Sequence, residues 1–309
     1  MTQRVHLDTD LGGDPDDACA LAMLLGWPDV EITGITTTAD QGGLRAAYVS
    51  HLLRLAGRSD IPVAAGAGVT MSNLGVADPI VHDERHWPVS LTGATSPPGA
   101  ALDLLQRSID QGATIIGIGS YTNLAMLEIA RNGSLNRTSI VVMGGWIDPP
   151  DNGLPTWGPG MDWNVQWDIR AAEIVAASAN LTLATLPATM KAHVRVAHLP
   201  RLRARGPLGA FLARQVEAYG FDEGMPALGR AHAALPDDLL NFHYDPVACA
   251  VAVGWSGATV QEMRLSTVVE DGVLRFERDP DSQPIRAVTD IDGPAFAEVW
   301  LAAVEAIRQ

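Results

Sequence analysis

Short apolar runs alternate with longer stretches of helical periodicity over the first two thirds of the chain. The apolar runs are continuous, which is typical of strands that are buried on both faces of a parallel sheet. Strands are predicted at residues 4–8, 31–37, 61–64, 114–118, 139–143 and 181–186. Helices are predicted at residues 17–25, 43–56, 100–111, 122–131 and 169–177. This βαβα order predicts an α/β protein whose open, mostly parallel, doubly wound sheet carries helices on both faces.

The pattern changes after residue 200. Further helices are predicted at residues 200–220, 247–253 and 294–307. The pair Asp271-Gly272 lies between two apolar pairs and predicts a tight hairpin over residues 265–277. Residues 146–160 are rich in proline and glycine, and long irregular loops in compact domains are often functional. Because no repeat or linker interrupts the pattern, we expect residues 1–309 to form a single domain.

Composition excludes several classes of partner. The formal net charge is −15, so the basic patch expected of a nucleic-acid-binding protein or of a protein on an anionic membrane is missing. No apolar run reaches the length of a membrane span, and the N-terminus lacks the apolar region of a signal peptide. Cys19 and Cys249 are too few for a disulfide framework. We therefore expect a cytoplasmic protein that binds neither nucleic acid nor membrane.

The first predicted strand runs directly into a dense group of acids. Five aspartates follow in the turn, interrupted by two glycines: Asp8, Asp10, Asp14, Asp16 and Asp17. So much negative charge beside a buried strand is costly unless a cation is present. Oxygen ligands crowded into a flexible turn favour a hard metal ion, calcium or magnesium. The sequence therefore predicts a metal site at this turn.

Two further polar segments follow predicted strands. Residues 119–123 come directly after Ile118, and Met143 is followed by two glycines and the long loop. Ligands of doubly wound proteins bind beyond the carboxyl ends of the strands. If the sheet is parallel, the acidic turn and these two segments meet at one edge, and we expect the active site there.

Several named motifs fail at the acidic turn. An EF-hand loop would place Gly12 at a ligand position and Cys19 at the bidentate acid position, and no phosphate-binding loop sequence follows. The pair Asp8 and Asp10 is similar to the nucleophile turn of haloacid-dehalogenase-like phosphotransferases. That pattern expects Thr or Val where Gly12 stands, and the lysine it needs has only Lys191 as a candidate. A phosphotransferase stays the weaker alternative.

A closer resemblance covers most of the chain. Residues 8–18, DTDLGGDPDDA, resemble the signature D-x-D-x-G-x-D-D-A of inosine-uridine-type nucleoside hydrolases, in a form two residues longer. Four further segments are similar to motifs of that family in the family's order: GSYTNLA at 119–125, VVMGG at 141–145, DWN with a later Asp at 162–168, and YDP at 244–246. The resemblance implies the fold of that family and calcium-dependent hydrolysis of ribonucleosides to free base and ribose.

The resemblance also implies a set of metal ligands. A Ca2+ ion would be held by Asp10, Asp17, Asp245 and the main-chain carbonyl of Ile118. Asp10 would also be the base that activates a calcium-bound water. Cleavage of a glycosidic bond passes through a state with positive charge on the sugar, and carboxylates around the ribose stabilise that charge.

The substrate contacts carry over in the same way. The ribose hydroxyls would be bound by Asp16 and Asp245, with the 3′ hydroxyl held by Asn164, the 5′ hydroxyl by Asp162, and Met143 close to the sugar. Asn152, in the long loop, is a further candidate for the 5′ hydroxyl. Asp162 replaces the family's Glu and is one methylene shorter. Asp40 replaces the family's Asn after the second strand and is a candidate substrate contact, so the preferred base is open.

The sequence departs from the family where the leaving base would be protonated. Tyr244 stands in place of a histidine, and its ordinary pKa of about 10 makes it a weak acid. Its neighbour His243 and the distant His82 are the other candidates for catalysis. His86 is a further candidate for contact with the base. Aromatic stacking on the base is a second way to promote its departure, and the candidates are Trp87, Trp146, Trp157, Trp163 and Trp167.

Two questions stay open at this point. The missing histidine before Asp245 leaves room for a non-catalytic, calcium-dependent protein that binds a nucleoside or ribose. Asp14 belongs to the longer form of the turn and either caps the following helix or serves the site. The partner we expect is a small-molecule ribonucleoside, in nucleoside salvage. The resemblance also implies a homo-oligomer, either dimer or tetramer.

Overall fold

The computed structural model describes residues 2–80, 83–178 and 180–307. Eleven strands lie in this part of the chain: β1 Gln3–Thr9, β2 Val30–Thr37, β3 Val63–Ala65, β4 Thr114–Gly117, β5 Ile140–Met143, β6 Leu181–Ala184, β7 His193–Arg195, β8 Leu239–Phe242, β9 Ala258–Glu270, β10 Val273–Arg278 and β11 Pro284–Ile291. The α-helices of the same residues are α1 Asp16–Gly26, α2 Leu44–Leu55, α3 Ala100–Asp110, α4 Thr122–Ala130, α5 Trp163–Trp167, α6 Ile169–Ala176, α7 Leu186–Thr189, α8 Leu199–Arg203, α9 Gly206–Asp222, α10 Met225–Ala231, α11 Tyr244–Ala252 and α12 Gly293–Ala306.

Nine of the described strands form one sheet. Its order is β10-β9-β11-β6-β5-β4-β1-β2-β3, and β7 pairs with β8 in a separate small sheet. The strands from β3 to β11 in this order are parallel to their neighbours, whereas β9 and β10 are antiparallel. The predicted mostly parallel, doubly wound sheet is confirmed. The strand order reverses at β1, between β2 and β4, and this reversal opens a crevice at the carboxyl ends of the strands.

Continuous apolar strands put core on both faces of the sheet. On β4, Ile116 packs into the larger apolar cluster and Ile115 into a second one, and Val141 and Val142 divide in the same way on β5. The helices α1, α11 and α12 cover one face and α4 and α6 the other. Side chains alternate between the faces of a strand, so both faces need apolar residues. In the described residues no helix is long and apolar enough to cross a bilayer.

The predicted hairpin is confirmed. β9 and β10 are joined at Asp271 and Gly272, both with positive φ (52° and 79°), as the tight turn requires. The predicted helix at 200–220 is interrupted, because α8 ends at Arg203 and α9 begins at Gly206, whose φ is 58°. The strands β7, β8 and β11 were not predicted. β11 carries charged residues between its buried positions, which hid its pattern.

Candidate active site

A cavity of about 640 Å³ opens at the carboxyl ends of β1, β4 and β5. Asp10 and the first turn of α1 line one side, Ile118 and Met143 line the floor, and Asp245 reaches it from α11. The three polar segments that follow predicted strands therefore meet, as the parallel sheet requires. The cavity lies where the strand order reverses.

The acidic turn depends on one glycine. Gly12 has a φ of 130°, and a Cβ added there would lie 2.7 Å from the Ile80 side chain and 2.9 Å from the ring of Tyr48. Only glycine fits this conformation and this space. The turn then leads through Pro15 into α1, whose first two residues are Asp16 and Asp17. Carboxylates are favoured in the first turn of a helix because the N-terminus carries partial positive charge.

Three carboxylates converge below this turn. Asp16, Asp17 and Asp245 are buried, and each offers an oxygen within 4.8 Å of the oxygens of the other two. Burial, and after it the charge of the neighbouring acids, raises the pKa of each of the three well above its usual value. Such a group is stable in its charged form only with a cation among the oxygens. The donor set, all oxygen and partly from a loop, fits a hard divalent ion.

Asp10 stands beside this group on the cavity wall and is partly exposed. Burial raises its pKa, and the nearby guanidinium of Arg45 lowers it in opposition. The chain comes very close on the other side, since a Cβ on Gly119 would lie 2.8 Å from Asp10 Oδ1. The glycine after Ile118 therefore leaves the room that the Asp10 carboxylate occupies.

Buried hydrogen bonds fix the carboxylates. Thr9, the last residue of β1, donates its hydroxyl to Asp17 Oδ1. Asp8 Oδ1 accepts from the hydroxyl of Thr36 at 2.5 Å and from Asn123 Nδ2 at 2.8 Å. Asp8 Oδ2 is buried and has no hydrogen-bond partner among the described residues, and burial raises the pKa of Asp8 to about 7. Asp8 lies behind the cavity and supports the turn.

Two further predicted site residues, Asn164 and Asp162, are held by hydrogen bonds to the main chain. Asn164 Nδ2 donates to the carbonyl oxygens of Ile118 at 3.1 Å and of Met143 at 3.2 Å. Asp162 caps α5, accepting from Val165 N at 3.3 Å, and it also accepts from Gly145 N at 2.5 Å. Burial raises the pKa of Asp162 to about 6. Both of these residues line the cavity.

Aromatic rings close the rest of the cavity. Tyr244 stacks on Phe242 with ring centroids 5.1 Å apart, and Trp157 meets Phe242 edge-on at 5.6 Å. Trp163 and Trp167 stack on each other at 4.9 Å. All five rings line the cavity. Stacking surfaces beside clustered carboxylates suit a ligand with one flat apolar part and one polar part.

Among the predicted site residues that do not line this cavity, four are Asp40, Trp87, His243 and Asn152. The carboxylate of Asp40 accepts from Thr37 Oγ1 and from the main-chain N–H groups of Arg45 and Ala46, so it anchors the start of α2. Trp87 is buried and stacks on Tyr48 with ring centroids 3.7 Å apart. These two placements correct the expectation that Asp40 and Trp87 contact the substrate.

The other two are His243 and Asn152. His243 is fully buried and packs against Trp300, with ring centroids 4.3 Å apart. In the described part of the chain neither of its ring nitrogens has a hydrogen-bond partner. Burial lowers its pKa well below the usual value, so the ring stays neutral in the core. Asn152 lies in an exposed turn away from the cavity. These placements correct the expectations of a catalytic His243 and of a 5′ contact from Asn152. His82 lies outside the described residues.

Other candidates are also occupied elsewhere. Lys191 pairs with Asp151 and Asp290 at 2.5 Å, away from the cavity, which removes the lysine that a phosphotransferase would need. His86 does not line the cavity and is bound to Asp222 on α9 at 3.0 Å. Trp146 likewise lies outside it.

Sequence reasoning missed several residues of the cavity, and three of them are polar residues that contact the acidic turn. Arg45 from α2, Tyr219 from α9 and Asn241 from β8 all line it. None of the three belongs to a motif, and their positions in the sequence do not indicate that they lie near the acidic turn. Asp14, whose role the sequence left open, contacts two of them. Its Oδ1 also accepts the main-chain N–H of Asp16 at 3.1 Å, so it supports the start of α1 as well.

The fold and the cavity define an α/β protein with an acidic, metal-competent site for a small ligand. The chain belongs to the family of inosine-uridine preferring nucleoside hydrolases, whose sequence model matches residues 5–298. This confirms the predicted family and the predicted class of enzyme, a nucleoside N-ribohydrolase.

Relatives and solved structures agree with this assignment. The pyrimidine-specific ribonucleoside hydrolases RihA of Salmonella agona and Escherichia coli O7:K1 are 31% and 30% identical, each over 71% of this chain and 72% of the relative. A plant nucleoside hydrolase has a TM-score of 0.79 at 21% identity and covers 99% of this chain and 100% of its own. A purine-preferring ribonucleoside hydrolase from Gardnerella vaginalis has a TM-score of 0.77 at 21% identity, with 98% of both chains covered. These two structures share the fold.

Proposed function

We propose that this protein hydrolyses the N-glycosidic bond of ribonucleosides and releases free base and ribose. The observation that carries the proposal is the convergence of Asp16, Asp17 and Asp245 within 4.8 Å, with Asp10 on the same cavity wall. Two helix N-termini, 228 residues apart in sequence (245 − 17), supply these acids. Such an arrangement suits a divalent ion and a sugar rather than an apolar ligand.

We propose Ca2+ as the ion, held by Asp10, Asp17, Asp245 and the carbonyl oxygen of Ile118. When bound, the ion supplies positive charge that lowers the pKa of a water molecule in the site. The buried acids supply the charge that holds it. The Ile118 carbonyl accepts a hydrogen bond from Asn164, so the amide fixes the direction of this oxygen.

Asp10 is the base in this mechanism. It lies on the cavity wall beside the buried three and is partly exposed, as is Asp14, but the Asp14 carboxylate already accepts from Tyr219 and Asn241. It takes the proton of the attacking water, and the charge of Arg45 favours the carboxylate form by opposing the rise in the Asp10 pKa that burial causes. The rigid turn around Gly12 holds the carboxylate in place, which contributes orientation.

Three acids and one amide bind the sugar. Asp16, Asp245, Asn164 and Asp162 face the cavity and would accept or donate hydrogen bonds to the ribose hydroxyls, with Met143 packed against the ring. As the bond to the base breaks, positive charge develops on the sugar. Preorganised carboxylates at that point stabilise the charge without rearrangement.

Tyr244 assists the departure of the base. Burial and the nearby acids raise the pKa of Tyr244 well above its usual value, so its hydroxyl is protonated and can donate a hydrogen bond. It is a poor acid for the same reason. We propose that stacking on the aromatic wall, together with this hydrogen bond, supports departure of the base.

The test is an assay for free ribose with inosine, uridine, adenosine and cytidine, each with calcium and with a chelator. The proposal expects ribose release that depends on calcium and disappears in Asp10→Ala. Saturable nucleoside binding without ribose release would instead indicate a binding protein. Equal rates with and without chelator would overturn the calcium assignment.

We further propose a cytoplasmic enzyme of nucleoside salvage that folds as one domain and forms a dimer or tetramer. The single nine-stranded sheet, which includes strands from both ends of the described chain, supports one domain. Both cysteines are buried and free, which fits a reducing compartment. Light scattering on a sizing column measures the oligomeric state, and a monomer would contradict the proposal.

A further inference from the structure

Asp14 joins three distant parts of the chain on one side of the cavity. Its Oδ2 accepts from the hydroxyl of Tyr219 at 3.0 Å, and its Oδ1 accepts from Asn241 Nδ2 at 2.5 Å. The three residues come from the turn before α1, from α9 and from β8, and all line the cavity. Tyr244 lines the same cavity, and Asp14 and Tyr219 lie near enough to it that their charges help to raise its pKa.

These hydrogen bonds decide what the wall can offer to a ligand. The only proton of the Tyr219 hydroxyl is donated to Asp14, so the oxygen presents lone pairs to the cavity. Asn241 gives one N–H of its amide to Asp14, and its oxygen accepts from Phe242 N at 2.8 Å. Glu223 lines the same side at the exposed rim and, as a carboxylate, is also an acceptor. The Tyr219 oxygen and the Glu223 carboxylate are therefore acceptors on this part of the wall.

We propose that Tyr219 selects nucleobases that carry an exocyclic amino group over those that carry an oxo group at the same position. An amino group donates to the Tyr219 oxygen, whereas an oxo oxygen would face lone pairs. The inference rests on the proposed function, because ribose bound among the acids places its base on the side of Tyr244 and Tyr219. Adenine and cytosine meet this requirement, and hypoxanthine and uracil do not.

The surroundings of Tyr219 keep its hydroxyl protonated and fix its orientation. Burial, followed by the charge of Asp14, raises the pKa of Tyr219 far above its usual value, so the hydroxyl keeps its proton. Three donors hold Asp14 as an acceptor: the Tyr219 hydroxyl, the Asn241 amide and the main-chain N–H of Asp16. A site built to hydrogen-bond one group discriminates against its replacement because a polar atom is left unpaired. On this partly open wall we expect about tenfold to hundredfold discrimination in kcat/KM.

The experiment compares kcat/KM for two matched pairs, adenosine with inosine and cytidine with uridine. We expect the amino nucleoside to be preferred in both pairs in the unmodified enzyme. In Tyr219→Phe, which removes the hydroxyl and keeps the ring, we expect both ratios to fall by about tenfold or more while ribose is still released. Inhibition by free adenine against hypoxanthine, and by cytosine against uracil, gives the same comparison without a variant.

The outcomes separate the two proposals. Equal rates within both pairs, a preference for the oxo nucleosides, or ratios unchanged in Tyr219→Phe would each overturn the role of Tyr219 while leaving the hydrolase intact. Absence of ribose from all four nucleosides in the presence of calcium would instead overturn the proposed function. If Tyr219→Phe fails to fold, the inhibition by free bases decides the question.

Discussion

The guanidinium of Arg45 donates a hydrogen bond from Nη1 to the main-chain carbonyl of Asp10. Its Nε donates to the carbonyl of Ala39 at 3.0 Å. Arg45 therefore ties the turn after β1 to the turn after β2. It is also the cation whose charge opposes the rise in the pKa of Asp10 and Asp17.

Replacing Arg45 tests this tie. In Arg45→Met the turn that carries Asp10 loses its anchor, and we expect kcat to fall on the order of 10²-fold because small displacements of a reacting group are costly. Arg45→Lys keeps the charge but not the forked geometry, so an intermediate loss is expected. Steady-state kinetics with circular dichroism as a folding control measures both variants. Unchanged kcat in Arg45→Met would show that the tie is irrelevant to catalysis.

Asp10→Asn removes the proposed base and changes the side chain by one atom. We expect kcat to fall about 10²- to 10⁴-fold, the usual contribution of a positioned base. Asp83→Asn is a matched control, since Asp83 lies outside the cavity. Ribose release is measured for both variants at saturating nucleoside. Comparable rates in the two variants would contradict the assignment of Asp10.

Calcium and pH act together on stability. Without an ion, the folded state holds Asp16, Asp17 and Asp245 with raised pKa values, so it binds more protons than the unfolded chain. Its stability therefore falls as pH rises above the unfolded pKa of about 4. Calcium requires the charged carboxylates, so its stabilisation grows with pH and reaches about 2.7 kcal/mol at a hundredfold excess over Kd.

Thermal melts between pH 6.5 and 8.5, with calcium and with a chelator, measure this linkage. We expect the difference in Tm to widen with pH and to shrink strongly in Asp245→Asn. A Tm that does not respond to calcium at any pH would argue against an ion among these acids.

His6 makes the stability of the fold depend on pH in the opposite direction. It lies buried between Ser108 Oγ at 2.8 Å and Thr36 Oγ1 at 3.0 Å, and burial lowers its pKa to about 3. In the unfolded chain the His6 imidazole binds a proton below about pH 6.5, whereas in the folded state it stays neutral down to about pH 3. The contribution of His6 to stability is thus complete above pH 6.5 and is lost as pH falls toward 3.

Urea unfolding at pH 6.5 and pH 5.0 tests this. Compared with the unmodified protein, His6→Asn should lose less stability on acidification, by about 1.4 kcal/mol for each pH unit. The neighbouring Asp8 titrates in both proteins, so its effect cancels. Parallel pH dependences in the two proteins would mean that His6 is protonated while folded.

The hydrogen bonds of Asp162 predict how much the 5′ hydroxyl of the sugar contributes to kcat/KM. Both of its carboxylate oxygens accept main-chain N–H groups, from Gly145 and Val165. A 5′ hydroxyl would add little, and we expect a 5′-deoxynucleoside to keep kcat/KM within about tenfold of the parent. A 3′-deoxynucleoside, which loses the proposed contact to Asn164, should lose more. Equal losses for the two analogues would contradict this division.

Much of the fold followed from local pattern. Continuous apolar runs identified the six parallel strands of the first two thirds, and Asp271-Gly272 identified the hairpin. Both signals are local, because a buried strand needs apolar residues on each face and the tight turn needs positive φ. β11 was not predicted because exposed charged residues lie between its buried positions, so it has no continuous apolar run.

Within the site, neighbours in sequence were separated by geometry. His243 and Tyr244 are adjacent, yet Tyr244 faces the cavity while His243 packs on Trp300. Successive residues at the start of a helix point in directions about 100° apart, so both cannot face one cavity. The sequence offered both as candidates and had no means to choose between them.

The sequence by itself determined that a dense group of acids follows a buried strand in a doubly wound sheet, because charge density and periodicity are written along the chain. Only the tertiary structure decided which acids meet, that Asp245 joins Asp16 and Asp17, and that Asp14 reaches Tyr219 and Asn241. Those contacts join residues up to 229 positions apart (245 − 16). The packing of helices on the two faces of the sheet sets them, and no local pattern encodes that packing.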